Sequence, residues 1–180
     1  KGEVFAQRNP GALGNAWFVN EYKIVANADS EITAMNKPAA EQTGFNPASI
    51  AIVDKKFEEG LKGFSPFPDS TGTSSISLTS YKPNYLTYMS KSNSEQIAVF
   101  SEIFYDKGWN AFVDGKPFPY FRTNYVLRAM RVPAGEHTIE FKFDPDAFFI
   151  GEKISLASSA FLLGLVVVGI DLGLRKKELI

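Results

Sequence analysis

The chain has 180 residues, 44% of them hydrophobic, and its 16 Phe, 7 Tyr and 2 Trp are ample material for the core of one domain. Its 19 Lys and Arg nearly balance its 20 Asp and Glu, so no basic excess is available to neutralise the phosphates of a nucleic acid. With no Cys and one His, thiolate metal sites, Cys nucleophiles, disulfides and His-rich metal centres are excluded. We therefore expect a folded domain with no nucleic-acid partner, no metal site and no cofactor.

The first 60 residues mix short strands with one short helix. Ala16–Val19 and Ser49–Val53 are apolar runs typical of strands. Between them, Asp29 and Ser30 are candidate N-caps of a short helix that Pro38 is expected to end.

Residues 60–75 are rich in Gly, Pro and Ser and predict a loop, after which the pattern is β throughout. Asp114-Gly115 is a strong signal for a two-residue hairpin turn. Pro117 and Pro119 indicate that the strand containing them lies at a sheet edge. Short strands separated by frequent turns predict an antiparallel β-sandwich. The expected strands are Ser75–Ser80, Leu86–Ser90, Gln96–Tyr105, Trp109–Val113, Lys116–Phe121, Tyr125–Val132 and His137–Phe143.

Ile154–Leu174 is the strongest physical signal, because 14 of its 21 residues are apolar and only Asp171 is charged. As a helix it would extend about 31 Å, which matches a hydrocarbon core of about 30 Å. Arg175 can pair with Asp171 one turn away, and a basic cluster here is expected to stay in the cytoplasm. The sequence favours a membrane span over the alternative, a buried helix of a soluble fold. Phe148–Ile150, just before it, are expected to anchor it at the membrane interface.

We find no catalytic constellation in the sequence and expect none of its residues to be catalytic, cofactor-binding or metal-binding. The single histidine, His137, is expected to be structural, and Asp114 is explained by its place in the hairpin turn. Exposed aromatic faces stack on sugar rings, while amide and guanidinium groups bind hydroxyls and phosphates. The candidate ligand-binding residues are Trp109, Tyr85, Tyr125, Arg122, Arg128 and Asn124, and Tyr81, Tyr88 and Tyr120 are further aromatic candidates.

Each of these candidates also has a structural alternative. Trp109 and most of the tyrosines can instead be core residues of the sandwich. Arg122 and Arg128, which even spacing would place on one face, can instead pair with Glu102 and Glu140.

Several segments of the sequence are similar to a known family. The run YDKGWNAFVDG and the run NYVLRAMRVPAGEHTIEF are the most specific, and NPGALGNAWFV, VDKKF and GEKISLASS extend the similarity to essentially the whole chain. In these segments the chain resembles the C-terminal end of bacterial YfhO-type membrane proteins. That resemblance implies a multi-spanning membrane core followed by an extracytoplasmic β-rich domain and a last helix.

The resemblance implies the following organisation and function. Residues 1–153 would be an extracytoplasmic domain, 154–174 a transmembrane helix and 175–180 a cytoplasmic tail, in the inner (cytoplasmic) membrane of a bacterium. The chain opens without Met or a signal-type segment, so we expect a piece of a longer protein. The family resembles glycosyltransferases that use polyprenyl-phosphate sugars, with the acidic catalytic residues upstream of this piece. The expected partners are the bilayer through 154–174, the upstream membrane core, and a glycan or lipid-linked sugar.

Two other functions remain open from the sequence. The chain could be a membrane-tethered carbohydrate-binding module with no transferase attached. It could also be a structural envelope module that binds only protein partners.

Overall fold

The computed structural model describes residues 9–36, 44–65 and 72–178. The chain divides into two compact units, Lys1–Phe143 and Asp144–Ile180. The first unit is mainly β and the second is one helix, so the predicted fold class is confirmed. The elements in chain order are β1 (Ala16–Val19), β2 (Glu21–Val25), α1 (Ala28–Met35), β3 (Ile50–Asp54), a 3₁₀ helix (Lys55–Leu61), β4 (Ser75–Lys82), β5 (Tyr85–Ser92), β6 (Gln96–Ile103), β7 (Trp109–Val113), β8 (Lys116–Pro117), β9 (Phe121–Thr123), β10 (Leu127–Val132), β11 (Gly135–Phe143) and α2 (Asp146–Glu178).

Two antiparallel sheets pack face to face in the first unit. One has four strands in the order β1-β6-β10-β9, and the other has five in the order β4-β5-β11-β7-β8. Alternate residues of both sheets point inward and are buried, as expected of a sandwich. The buried residues of this sandwich core are Ala16, Leu86, Tyr88, Ala98, Phe100, Ala111, Val113, Met130, Val132, Ile139 and Phe141.

A second core covers the outer face of the four-stranded sheet. β2 and β3 form a small parallel pair, and they pack with the 3₁₀ helix on that face. Ala51, Val53 and Leu61 contribute to this second core from the covering layer, and Val99 and Ala129 contribute from the sheet. β6 is therefore buried on both faces, which explains why QIAVF is nearly continuous in apolar residues rather than alternating.

Helix α1 begins earlier than predicted. Its N-cap is Asn27, whose extended backbone (φ −165°) lets the side-chain Oδ1 accept a hydrogen bond from the Ser30 N–H at 2.9 Å. The prediction that Asp29 or Ser30 caps the helix is therefore wrong, because both lie within its first turn. The helix ends at Met35, and Pro38 lies outside the described residues.

The predicted edge strand Lys116–Phe121 is confirmed in its place but is too long, because β8 is the outermost strand of the five-stranded sheet and has only two residues. Strand β8 stops at Pro117, and residues 118–120 cross from the five-stranded to the four-stranded sheet, where β9 pairs with β10. The turn before it is confirmed: Asp114 and Gly115 have φ of 50° and 74°, as a hairpin turn of this type requires.

Helix α2 contains the predicted apolar segment and begins before it. Its stretch Asp146–Ile170 is long and apolar enough to cross a membrane, with a mean hydropathy of 2.0 over its most apolar 18 residues. Phe148–Ile150 lie in its first turns, and the large apolar side chains up to Ile170 are exposed, unlike those of a buried core helix. The expected pair of Asp171 and Arg175 lies outside the residues whose side chains are described.

Candidate functional site

Arg122, Asn124 and Tyr125, three of the predicted ligand-binding residues, lie together at the β9–β10 turn. The Arg122 guanidinium donates through Nη2 to Glu31 at 3.0 Å and to Asp54 at 3.2 Å. The other oxygen of Glu31 accepts a hydrogen bond from the Tyr125 N–H at 2.7 Å. This buried ion cluster joins α1, the end of β3 and the turn.

The same turn is fastened to β3 by backbone-like hydrogen bonds. Asn124 accepts from the Ile52 N–H through its side chain and donates its own N–H to the Ile52 carbonyl, both at 2.8 Å. The Thr123 hydroxyl donates to the same carbonyl at 2.8 Å. Both Asn124 and Tyr125 have positive φ, of 48° and 68°. The Asn124 side-chain oxygen accepts a hydrogen bond as the backbone carbonyl of a paired strand would, which explains why asparagine occurs at this position.

The buried ion cluster is unsuited to contact a ligand. The Glu31 side chain has no exposed surface, and its burial raises the pKa of its carboxyl above the usual value, although the Tyr125 N–H and Arg122 act in the opposite direction. The salt-bridge alternative for Arg122 is therefore the one the structure supports, with Glu31 and Asp54 as partners instead of the predicted Glu102 and Glu140.

Arg128 and Trp109 form a second group. The guanidinium carbon of Arg128 lies 4.2 Å from the centre of the Trp109 ring and 5.1 Å from that of Phe141, and its Nε donates to the Ile103 carbonyl at 2.9 Å. Arg128 is almost fully buried, and burial lowers its pKa. It is the register partner of Arg122 in the β9–β10 pair, yet the two side chains end among different partners. This group seals one end of the sandwich core.

The remaining tyrosine candidates are scattered. Tyr85 donates to Glu140 on the outer face of the five-stranded sheet, where Lys142 lies over its ring. Tyr88 is buried in the sandwich core and Tyr81 is exposed. The Tyr120 hydroxyl lies within hydrogen-bond distance of the carbonyls of Tyr105 and Trp109, to which it donates, and Tyr120 also lines a cleft.

That cleft is the best candidate for a ligand site in the described part of the chain. Its volume is about 520 Å³, within the range of small-molecule sites. It lies between the 3₁₀ helix and residues 118–121, where β9 is too short to cover the rest of β10. The lining residues are Lys56, Phe57, Glu59, Gly60, Glu95, Phe118, Pro119, Tyr120, Phe121 and Arg131.

The cleft combines aromatic walls with charged groups. Phe57, Phe118 and Tyr120 supply rings, and Lys56 supplies an exposed ammonium group at the rim. Arg131 is held by a two-point pair with Glu95, both bonds being 3.0 Å long. Such a set can stack on a sugar ring and attract an anionic group beside it.

The floor of the cleft depends on a glycine. A Cβ added at Gly60 would lie 2.6 Å from Cδ1 of the Phe121 ring, so the two can pack only because Gly60 has no side chain. This close approach brings the 3₁₀ helix onto the sheet and sets the width of the cleft.

None of the six residues chosen from the sequence lines this cleft. Tyr120, a further aromatic candidate, does, and Trp109 lines a second cavity of about 520 Å³ on the other side of residues 117–120. Lys56, Phe57 and Glu59 were missed because they lie on a 3₁₀ helix without a periodic pattern. The available signal was the run PFPYF at 117–121, in which prolines alternate with aromatic residues.

The opposite end of the sandwich carries His137 and Asp114. Their side chains are 2.7 Å apart, and the Asp114 carboxylate also accepts the Thr138 N–H at 2.9 Å. The pairing raises the pKa of His137 and lowers that of Asp114. His137 thus ties the hairpin turn to β11, which is a structural role. Among the described residues, no group of three or more His, Asp or Glu side chains is arranged to hold a metal ion.

One family model matches the chain. It is described as "Bacterial membrane protein YfhO" and covers residues 62–155, just over half of the sequence, from the end of the 3₁₀ helix into α2. Among curated proteins and solved structures, no match was found.

Proposed function

Because the chain belongs to the YfhO family of bacterial membrane proteins, we propose that it is the non-catalytic, extracytoplasmic C-terminal domain of a glycosyltransferase-like envelope protein. In this proposal, residues 1–153 lie outside the inner membrane, 154–174 cross it and 175–180 are cytoplasmic. The observation that carries the proposal is the combination of the family match with an exposed apolar helix directly after the β domain.

The charge distribution supports the orientation. Arg175, Lys176 and Lys177 follow the apolar segment at once, and a basic cluster at this place favours the cytoplasmic side. The domain before the segment then lies on the other side, where an envelope glycan and the headgroup of a lipid-linked sugar would be within reach.

The role proposed for the domain is to hold a glycan or lipid-linked sugar in the cleft between the 3₁₀ helix and residues 118–121. Phe57, Phe118 and Tyr120 offer stacking surfaces, and Lys56 offers a cation for a phosphate. Transfer of the sugar is assigned to the upstream membrane core, where the family resemblance implies the acidic catalytic residues.

The test is a titration of the full chain in detergent micelles with envelope oligosaccharides and with polyprenyl-phosphate headgroups, followed by calorimetry. Lys56→Ala is expected to weaken binding of the phosphate-containing ligand about tenfold, the equivalent of one charge-assisted hydrogen bond. Lys55→Ala is the matched control, because Lys55 is the exposed neighbour on the same 3₁₀ helix and does not line the cleft. Equal binding by both variants, or no saturable binding to any ligand, would exclude the cleft as the site.

The second candidate function is a membrane-tethered carbohydrate-binding or structural envelope module. The same cleft and helix are compatible with this function. The two candidate functions differ in the segments that would precede this chain in the full-length protein. A gene that encodes many upstream membrane spans would select the glycosyltransferase-like protein, and one that encodes a signal peptide alone would select the tethered module.

A further inference from the structure

We propose that the end of the sandwich from which the chain runs into α2 rests on the bilayer surface and inserts apolar side chains among the lipid headgroups. We call it the aromatic end. It is formed by the β4–β5 turn, the β6–β7 loop, the β9–β10 turn and the last residue of β11. The proposal rests on the proposed function in one respect, which is that α2 lies in a membrane.

These four segments lie at one end because of the strand register. β6 ends at Ile103, opposite Leu127 at the start of β10, and β11 ends at Phe143, opposite Trp109 at the start of β7. The loop from β6 to β7 crosses between the two sheets at this end. Arg128 bridges them there, from β10 onto the Trp109 ring.

Exposed apolar side chains are concentrated at the aromatic end. In the described part of the β unit, nine large apolar or aromatic residues are exposed, and six of them belong to this end. Ile103 is 70% exposed, Tyr105 50% and Val126 44%, although all three adjoin well-packed strands. The six are Tyr81, Ile103, Tyr105, Tyr125, Val126 and Phe143. Such a concentration of exposed apolar side chains at one end indicates a surface that something apolar covers.

The opposite end of the sandwich has a different character. It carries charged and hydroxyl side chains that pair with each other, such as Asp114 with His137 and Lys91 with Glu136. Ser92 and Asn93 there are hydrogen-bonded to their neighbours. The two ends of one sandwich are therefore suited to different surroundings, one to water and the other to an interface.

Chain connectivity brings the aromatic end to the membrane. Phe143 is the last residue of β11 and Asp146 is the first of α2, so two residues lie between them and their Cα atoms are at most about 11 Å apart. With residues 154–174 across the hydrocarbon core, the preceding part of α2, residues 146–153, adds about 12 Å of helix that extends through the adjoining headgroup layer. The aromatic end is thus tethered within reach of that layer.

The chemistry of the six side chains fits the headgroup layer. Tyrosine is enriched at this depth because its ring is apolar and its hydroxyl is polar, and four of the six residues are aromatic. Asp106 and Lys107 in the β6–β7 loop carry opposite charges, so the surface has no evident requirement for anionic lipid. We therefore expect the contact in neutral bilayers too.

The absence of cysteine allows single-cysteine spin labelling of the full chain. The protein is reconstituted in phosphatidylcholine vesicles, and collisions of the label with oxygen, which concentrates in lipid, are compared with collisions with a water-soluble nickel chelate. Ile103→Cys and Val126→Cys report on the aromatic end, and both side chains are exposed, so the label is not expected to disturb the core. Lys116→Cys, on the exposed strand β8, is the control for the opposite end, and Val167→Cys is the control for α2.

The proposal predicts a severalfold loss of nickel collisions at Ile103 and Val126 relative to Lys116, with oxygen collisions retained. Equal nickel access at the three positions would overturn it. Exclusion of both reagents at Ile103 and Val126 would also overturn it, because a protein surface rather than lipid would then cover the end. A label at Val167 that is open to nickel would instead refute the membrane placement of α2, and with it the proposed function.

Discussion

Replacing Glu31 tests whether the buried ion cluster fastens α1 to the β9–β10 turn. Its fully buried carboxylate accepts the Tyr125 N–H at 2.7 Å and Arg122 Nη2 at 3.0 Å. Removal of one partner from a buried ion pair costs about 3–5 kcal/mol. Because Arg122 keeps Asp54 as a partner and its side chain is 22% exposed, we expect Glu31→Ala to lose about 3 kcal/mol, the lower limit of that range.

Glu31→Gln separates the shape of the side chain from its charge. Burial raises the pKa of Glu31, because desolvation makes its ionised form less favourable in the folded protein than in water. The amide keeps an oxygen acceptor of the same shape and loses about one hydrogen bond, so we expect a loss of about 1 kcal/mol. Since the folded-state pKa lies above the ordinary carboxyl value, the folded protein binds this proton more tightly than the unfolded chain does. The stability of the wild type relative to Glu31→Gln should therefore fall as pH rises through the folded-state pKa.

Urea unfolding of the full chain in detergent, followed by the fluorescence of Trp17 and Trp109, measures both losses. Trp17 packs on the second core and donates its indole N–H to the Pro47 carbonyl, so it reports on this layer. With a denaturant slope of about 2 kcal/mol per M, the alanine variant should unfold at a urea concentration lower by about 1.5 M. Equal losses in the two variants, or a loss below about 1 kcal/mol for Glu31→Ala, would refute this account of the cluster.

Three further changes test other parts of the fold. Gly60→Ala should cost about 1–3 kcal/mol in thermal unfolding, because its methyl group would displace the buried Phe121 ring; an unchanged midpoint would contradict the close approach. His137→Gln should remove a pH dependence of stability, since a raised histidine pKa stabilises the fold below about pH 6.5 and the contribution disappears as pH rises through the folded-state pKa. If the wild type and this variant have the same pH profile, Asp114 does not stabilise the imidazolium ion. Arg128→Lys should cost about 2 kcal/mol, the size of a desolvated cation–π contact, because an ammonium group cannot both stack on the indole and reach the Ile103 carbonyl. Near-UV circular dichroism would detect the freed indole, and an unaltered spectrum and stability would argue against the stack.

The sandwich could be predicted from sequence because its signals are local. Ile139 and Phe141 alternate with polar residues along β11, and Asp114-Gly115 fixes a hairpin by its backbone preference alone. Periodicity of two and turn chemistry act over a few residues, so they remain visible without knowledge of the fold. The apolar helix was equally evident from its length and composition.

The covering layer and the cleft could not be predicted, because they depend on contacts between distant segments. Glu31 looks like an ordinary acidic residue in the first turn of a helix, and its partner Arg122 is 91 positions away. The cleft is formed by a 3₁₀ helix and by residues 118–121, neither of which has a period. Pro119 predicts a position outside any central strand, and in the structure it lies where the chain crosses to the other sheet.

The two-sided burial of β6 has a consequence for how this family is divided into domains. The range matched by the family model begins at residue 62, after β1, β2, β3 and nearly all of the 3₁₀ helix. A protein cut at that position would lose a strand of the four-stranded sheet and uncover Val99 and Ala129, which the preceding segment now shields from water. We expect such a truncated protein to aggregate rather than fold. The smallest autonomous folding unit of this chain should therefore begin before β1, about 50 residues before the start of the matched range.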